Sequence, residues 1–236
     1  MATYTGIFQA DAYSGYGKLY EPGRSPGPIF EAACWVHARR PFFVMADLAE
    51  NARRKAQGKT PAVISPLALE VVRRIDALFD IERTINGQSA ERRKAVRQEL
   101  SAPLVADLEA WMREQRAKLS RGNDVAKAMD YMLKRWTVFT RFLDDGRICL
   151  SNNAAERGVR GIALGRKAWL FAGSDRGGQR AAVMFTLIHT AKLNDVDPQA
   201  WLADVLARIN DHNIHRLDEL LPWNWAAEMV CCKVAA

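Results

Sequence analysis

Two carboxylates, Glu156 and Asp11, are the residues of this chain whose surroundings best suit chemistry. Glu156 opens the stretch 150–182, in which six basic residues stand against one acid between positions 157 and 180. Lys and Arg supply the sequence-independent part of nucleic-acid affinity, so this pattern fits a polyanion better than a small neutral ligand. A carboxylate among such cations is a natural ligand for a hard metal ion that acts on phosphate.

Local spacing gives Glu156 a second interpretation, as part of a helix cap. Asn153 followed by Glu156 has the reciprocal capping-box spacing, with Asn in place of Ser or Thr. Glu156 also precedes Arg160 by four residues, which is a favourable pair on a helix. The spacing alone leaves both roles open, and one residue can serve both.

Composition bounds the class of protein. The chain has 236 residues, 49% hydrophobic and 26% charged, which suits one or two globular domains. Its formal net charge of +7 permits a nucleic-acid partner without requiring one. The four cysteines, at positions 34, 149, 231 and 232, form neither a disulfide framework nor a paired zinc spacing, so a reducing cytoplasm is expected. The sequence contains no apolar run of membrane-spanning length and no recognisable leader.

A short strand is expected to position Asp11. Residues 4–11 predict this strand because Ile7 and Phe8 favour a pleated surface, and a Gly-containing turn follows. Residues 29–36 predict a second strand. Two strands cannot form an independent sheet, so this end of the chain is expected to be incomplete.

Helical periodicity dominates the rest of the chain. It predicts helices at 41–57, at 66–85 after a Ser65 cap, at 89–119 with a break near Pro103, at 124–143, at 179–193, and from 198 after an Asp197 cap. The Met and aromatic stripe of 124–143 is expected to be core. The stretch 179–193 is apolar on nearly every side, which predicts a helix buried among others.

Four blocks of residues, spread over nearly the whole chain, carry a resemblance to a known family. They are ADAYSGY around Asp11, CWVHARRPF from Cys34, NNAAERGVRGIALGRKAWLFAGS from Asn152, and LIHTAKLNDVDPQAWLADVL with the closing LDELLPWNW. In this order they resemble the DDE transposases of the insertion-sequence 66 group, which move bacterial insertion elements by DNA strand transfer.

The resemblance implies a fold and a division into domains. The fold would be α+β and predominantly helical, with a partial ribonuclease-H-like core interrupted by a helical insertion and followed by a C-terminal helical tail. The implied parts are a two-stranded core at 1–40, the insertion at 41–146, a core helix with the basic Gly-rich segment at 147–192, and a helical region at 193–236.

The resemblance also implies site residues and partners. Asp11 would be the second acid of a catalytic triad and Glu156 the last, both binding Mg²⁺ in a two-metal site. The implied DNA contacts are Arg157, Arg160, Arg166, Lys167, Arg176 and Arg180, with His37 as a further phosphate contact. Partners would be DNA at the element ends and target, full-length transposase or a second copy, and accessory proteins of the element, without a membrane. The location would be the bacterial cytoplasm and nucleoid.

The family's first acid lies on a strand upstream of the position that Met1 occupies. The resemblance therefore predicts a truncated transposase that is inactive alone. An alternative is a non-catalytic remnant that binds DNA or assembles with full-length transposase. A third interpretation is a structural helical protein whose basic patch is a solvated face.

Two smaller motifs have weaker chemical interpretations. Cys34 and His37 have half of a zinc spacing without a second pair, which favours a structural role. The run GSDRGGQR from Gly173 resembles an anion-binding loop, but Gln179 stands where a phosphate-loop lysine is required, so nucleotide hydrolysis is unsupported. Its glycines would either bring backbone N–H groups to a DNA phosphate or form a plain tight turn.

Overall fold

The computed structural model describes residues 3–60, 65–169 and 171–227. The chain divides into two compact units, Met1–Asn153 and Ala154–Ala236. Cys231 and Cys232 lie outside the described residues. The prediction of a predominantly helical α+β fold is confirmed, because the strands found among the described residues make one small sheet beside many helices.

The sheet consists of two parallel strands, β1 (Gly6–Ala10) and β2 (Ile29–Ala33), paired from Gly6 with Ile29 to Ala10 with Ala33. Asp11 follows β1 directly, as predicted. The second strand is shorter than predicted, because a helix begins at Trp35. Burial explains the difference, since the Trp35 side chain is 1% exposed and its indole N–H donates to the Phe139 carbonyl at 3.0 Å.

The helices of the first unit follow the sheet in chain order: α1 (Trp35–Met45), α2 (Leu48–Ala56), α3 (Pro66–Thr84), α4 (Ala90–Val96), α5 (Ala102–Ala117), α6 (Asp124–Leu133) and α7 (Trp136–Thr140). A π-helical turn, Arg97–Ser101, joins α4 to α5. The predicted cap at the start of α3 is confirmed, because the Ser65 hydroxyl accepts from the Ala68 N–H at 3.3 Å.

Three helix boundaries differ from the predictions. The helix predicted from 41 begins six residues earlier and ends at a break where Asp47 has a φ of 49°. The predicted break near Pro103 is a π-helical turn before it, and Pro103 lies in the first turn of α5, where a missing N–H costs nothing. The helix predicted at 124–143 stops at Leu133 and resumes at Trp136.

One apolar core holds the first unit together. The predicted stripe is confirmed, with all six of its members buried: Val125, Met129, Met132, Trp136, Phe139 and Leu143. Trp35 lies among them and makes edge-on contacts with Trp136, Phe139 and Phe142 at centroid distances of 5.4–6.1 Å. The start of α1 is therefore fixed against α7 directly beside the end of the sheet.

The second unit contains α8 (Asn153–Trp169, whose first residue belongs to the first unit), α9 (Asp175–Leu193) and α10 (Pro198–Arg208). Its small core is Ala191, Val196, Trp201, Val205 and Leu220. The Asp197 cap of α10 is confirmed, since its carboxylate accepts from the Gln199 N–H at 3.0 Å.

The prediction that 179–193 is buried among other helices is wrong. Within α9 only Ala191 is buried among the described residues, whereas Val183 is 57% exposed and Leu193 is 71% exposed. An apolar composition did not predict burial here because the described chain provides no layer of side chains over most of this helix.

Across the described ranges, no helix is both long enough and apolar enough to cross a membrane.

Candidate functional site

Asp11 stands exposed at the carboxyl end of β1. The next residue, Ala12, has a φ of 64°, so the chain turns away from the strand immediately after the carboxylate. The Asp11 carbonyl accepts a hydrogen bond from the Tyr131 hydroxyl at 3.5 Å. This arrangement fixes the backbone of Asp11 and leaves its side chain open to solvent.

Two tyrosines beside Asp11 are held in their protonated form. Burial raises the pKa of Tyr20 to about 12, and the charges of Glu31 and Asp11 add to the increase against the opposing charge of Arg135. Burial also raises the pKa of Tyr131, again with contributions from Glu31 and Asp11. The Tyr20 hydroxyl is buried without a hydrogen-bond partner among the described residues, whereas the Tyr131 hydroxyl donates to the Asp11 carbonyl.

Glu31, a second carboxylate, lies on β2 and was not predicted as a site residue from the sequence. It lies opposite Phe8 in the parallel register, so both side chains stand on the same face of the sheet. The Arg135 guanidinium binds the Glu31 carboxylate at 2.7 Å, and the Arg141 guanidinium donates to the Glu31 carbonyl at 2.9 Å. The strand period of two, applied to 29–33, could have placed Glu31 on this face.

Glu156 lies in the first turn of α8 and is half-buried. The helix begins at Asn153 itself, so Asn153 is a helical residue and not the cap that a capping box requires. Helical periodicity puts Glu156, Arg160 and Lys167 on one face of α8. The carboxylate and the two cations therefore lie along the same side of one helix.

All six basic residues predicted to contact DNA are exposed, and they are distributed over both long helices of the second unit. Four of them lie on α8: Arg157, Arg160, Arg166 and Lys167. Arg176 and Arg180 lie one turn apart near the start of α9 and line a shallow surface depression with Val183 and Met184. Their exposure leaves the charges available to a polyanion.

Helices α8 and α9 contact each other at both ends of α8. A Cβ built on Gly158 would lie 3.0 Å from His189 Nε2, and the rings of Trp169 and Phe185 stack with centroids 5.8 Å apart. Gly158, which has no side chain, therefore allows His189 to approach α8. His189 thus has the structural role that its position on α9 suggests.

The glycines in the first turn of α9, Gly177 and Gly178, use their N–H groups internally. Ser174 caps the helix, with its hydroxyl accepting from the Gly177 N–H at 3.1 Å, and the Gly178 N–H donates to the Ser174 carbonyl at 2.9 Å. A Cβ on Gly177 would collide with the Ala172 carbonyl oxygen. Of the two interpretations left open, the tight turn is the one these contacts favour.

His37 lies in the first turn of α1 and is half-buried, on a helix and not at a strand end. Cys34, immediately before α1, is a buried free thiol, and Cys149 is an exposed one. The half zinc spacing of Cys34 and His37 acquires no further ligands in the described part of the chain.

The carboxylates do not complete a metal site within either unit. Over residues 3–60, 65–169 and 171–227, no group of three or more His, Cys, Asp or Glu side chains could hold a metal ion. The Glu31 carboxylate, on the neighbouring strand, is already paired with Arg135. Glu156 belongs to the second unit. Asp11 and Glu156 are hard-oxygen donors of the type Mg²⁺ prefers, although a full coordination sphere needs more of them.

Comparison with known families gives two matches. The family described as "Transposase IS66 family" matches residues 1–180, and the one described as "IS66 C-terminal element" matches residues 186–223. The first match includes both candidate acids and all six basic residues, and the second covers the end of α9 and α10.

Three similar proteins come from Sinorhizobium fredii (strain NBRC 101917 / NGR234), and each has the name of an uncharacterized protein. The protein y4hP is 58% identical over 95% of this chain and 40% of its own length. The protein y4jD is 39% identical over 98% of this chain and 43% of its own length. The protein y4qI is 35% identical over 98% of this chain and 41% of its own length. The chain thus spans about two fifths of the length of these relatives. No solved structure matches it.

Proposed function

Because this chain belongs to the IS66 transposase family, we propose that it is the part of a transposase that cuts and joins DNA. Asp11 and Glu156 serve as metal-ligating carboxylates, and the basic residues of α8 and α9 hold the DNA backbone. The family match over 1–180 carries the proposal, because it spans both acids and the whole basic segment.

The environment of Asp11 supports its role. Its carboxylate is exposed at the end of a parallel strand, the edge at which such sheets commonly present functional groups. The Tyr131 hydroxyl donates to the Asp11 carbonyl and so helps to hold the end of β1. We propose that β1 and β2 belong to a ribonuclease-H-like core, that 41–146 is an insertion into it, and that 147–192 and 193–236 are its last core segment and its helical tail.

Magnesium is the proposed cofactor. A magnesium ion held by such carboxylates would polarise a phosphoryl oxygen and would lower the pKa of an attacking hydroxyl or water. Asp11 and Glu156 contribute two of its ligands, and a further carboxylate is required to complete the site. The chain's own contribution is to hold these two acids and to bring DNA to them.

The basic segment supports a DNA-binding role that does not depend on base sequence. Arg176 and Arg180 are one helical turn apart and exposed, so both can reach phosphates along one strand. We propose that DNA at the element ends and target binds here, and that His37 adds a phosphate contact from α1. Assembly with a full-length transposase or a second copy, help from accessory proteins of the element, and a place in the cytoplasm and nucleoid belong to the same proposal.

The catalytic proposal is tested in a chimaera in which this chain replaces its matched region in y4hP. Asp11→Asn and Glu156→Gln keep the side-chain shapes and remove the charges, and each is expected to reduce magnesium-dependent strand transfer at least 1,000-fold, about 4 kcal/mol of barrier. Glu109→Gln, a change on the surface of α5, is the matched control and is expected to leave activity within twofold. An inactive parent chimaera, or full activity after Glu156→Gln, would refute the proposal.

The DNA-binding proposal is tested on the chain alone by the salt dependence of affinity. Each phosphate contact contributes about −0.9 to the slope of log K against log salt, so Arg176→Ala with Arg180→Ala is expected to reduce the slope by about 2. Arg113→Ala, which removes an exposed arginine of α5, should leave the slope unchanged. Affinity that does not respond to salt would contradict the proposal.

A non-catalytic role is the second candidate, and one observation favours it. The described residues contain no group of three possible metal ligands. A chimaera without strand transfer, together with a chain that binds DNA with a steep salt dependence, would select this candidate.

A further inference from the structure

Three consecutive backbone carbonyls, at 148–150, are held by donors from four different elements. Gln9 Nε2, on β1, donates to the Cys149 carbonyl at 2.5 Å. The Trp35 N–H, at the start of α1, donates to the Leu150 carbonyl at 2.8 Å. One donor lies within β1 and the other lies two residues after the end of β2, so 148–150 lies alongside the sheet as an irregular third segment.

The third carbonyl is held from the helical side by arginines. Arg97 and Arg93 donate to the Ile148 carbonyl at 2.8 and 3.2 Å. Arg97 is fully buried, and it also makes a bidentate ion pair with Glu82 at 2.6 and 2.8 Å and donates to the Phe142 carbonyl at 3.0 Å. A guanidinium with five donors in a rigid plane suits this task, because it can fix several carbonyls at once.

Gln9 does more than bind one carbonyl. Its Nε2 also donates to the Ala33 carbonyl at 3.2 Å, so one amide group joins the ends of β1 and β2 to the segment 148–150. Gln9 precedes Asp11 by two residues, and α8, which carries Glu156, begins three residues after Leu150. The Gln9 amide therefore belongs to β1, the strand that ends at Asp11. It also holds the segment 148–150, which leads into α8, the helix that carries Glu156.

We propose that Gln9 is a positioning residue for transposition: it fixes the segment 148–150, and with it the origin of α8, to the strand that ends in Asp11. Arg97 holds the same segment from the helices of the first unit. This inference rests on the proposed function, because it assigns the clamp to the placement of the two acids. Gln9 itself touches no reacting group.

Two variants of Gln9 separate the effect of its N–H donors from the effect of its side-chain shape. Gln9→Glu is isosteric, but it removes both N–H donors and sets a negative charge against two carbonyl oxygens. Gln9→Lys restores a donor. The loss of one such hydrogen bond is about 1.5 kcal/mol, so hydrogen exchange in peptides covering 147–153 of the chain is expected to accelerate about tenfold in Gln9→Glu and to return within threefold of the parent in Gln9→Lys.

In the y4hP chimaera, Gln9→Glu is expected to reduce kcat for strand transfer at least tenfold with KM for DNA within twofold, because the basic residues are untouched. Gln9→Lys should recover most of the loss. Gln98→Glu is the matched control, since Gln98 Nε2 also donates to a carbonyl, that of Leu143 at 2.9 Å, but outside 148–150. It should change neither kcat nor exchange in 147–153.

The outcomes distinguish the two proposals. Unchanged exchange in Gln9→Glu, or a loss of kcat that Gln9→Lys does not restore, overturns the positioning role even if Asp11 and Glu156 prove essential. An inactive parent chimaera, or active Asp11→Asn and Glu156→Gln chimaeras, overturns the catalytic function and the positioning role with it. The exchange experiment then still decides whether Gln9 holds the segment.

Discussion

Arg97 provides the sharpest stability prediction, because it is a fully buried charge whose partners are all identified. Its side chain is 0% exposed, and that of Glu82 is 14% exposed. Replacing Arg97 with Met fills much of the volume but leaves the Glu82 carboxylate to the longer ion pair with Arg93, at 3.5 Å. Breaking a buried pair on one side costs about 3–5 kcal/mol, so Arg97→Met is expected to reduce the free energy of unfolding by about 4 kcal/mol.

That loss is a large fraction of the roughly 5–15 kcal/mol that stabilises a domain, so urea unfolding followed by circular dichroism will resolve it. Most of the loss comes from the uncompensated carboxylate. Adding Glu82→Leu to Arg97→Met should therefore recover at least half of it. Arg113→Met, at an arginine whose side chain is 58% exposed, is the control and should change the free energy by less than about 0.5 kcal/mol.

Two results would refute this reasoning. A loss below about 1 kcal/mol in Arg97→Met would mean that the buried pair barely contributes to stability. A double variant less stable than Arg97→Met would mean that the cost arises from lost packing and from the Phe142 and Ile148 carbonyls that lose their donor, and not from the carboxylate.

Three further predictions concern local features. Gly161→Ala should stabilise α8 by about 1 kcal/mol through helix propensity, because no described atom lies within 4 Å of the new Cβ. Gly158→Ala should not stabilise α8, because its new Cβ would meet His189. Thermal unfolding of the two variants tests the difference. Ser174→Ala should cost about 1 kcal/mol in the same assay, and a neutral result would contradict the cap. Hydrogen bonds from the Arg147 side chain lower the pKa of Asp145 from 3.8 to about 2. The ionised Asp145 therefore adds to the free energy of unfolding above pH 3.8, and this addition is lost as the pH falls through 2. After allowance for solvent screening, Asp145→Asn should cost about 1 kcal/mol at pH 7, and the difference from the parent should shrink in urea titrations between pH 4 and 2.

Local patterns predicted the elements that depend on local physics. The caps at Ser65 and Asp197 follow from a side-chain oxygen next to a proline, and the buried stripe from Val125 to Leu143 follows from helical periodicity. Their causes lie within one turn of the chain. Such features can be predicted from one sequence.

Features that depend on distant partners could not be predicted in this way. Trp35 begins a helix because its indole fits a pocket made by residues about a hundred positions later. The exposure of α9 depends on which other segments cover the helix, and this cannot be predicted from the composition of the helix itself. Of the candidate site, the strand-end position of Asp11 was predicted from the sequence, whereas the Glu31–Arg135 pair and the clamp at Gln9 require the fold.

The bond between Gln9 and the Cys149 carbonyl joins residues 140 positions apart, which bears on how the chain folds. Long-range contacts of this kind slow folding, because the ends of a long loop must meet before the contact stabilises the chain. During synthesis, β1 leaves the ribosome long before residue 149 exists. The strand that presents Asp11 can pair with β2 early, but its link to the segment that leads into α8 has to wait for the later part of the chain.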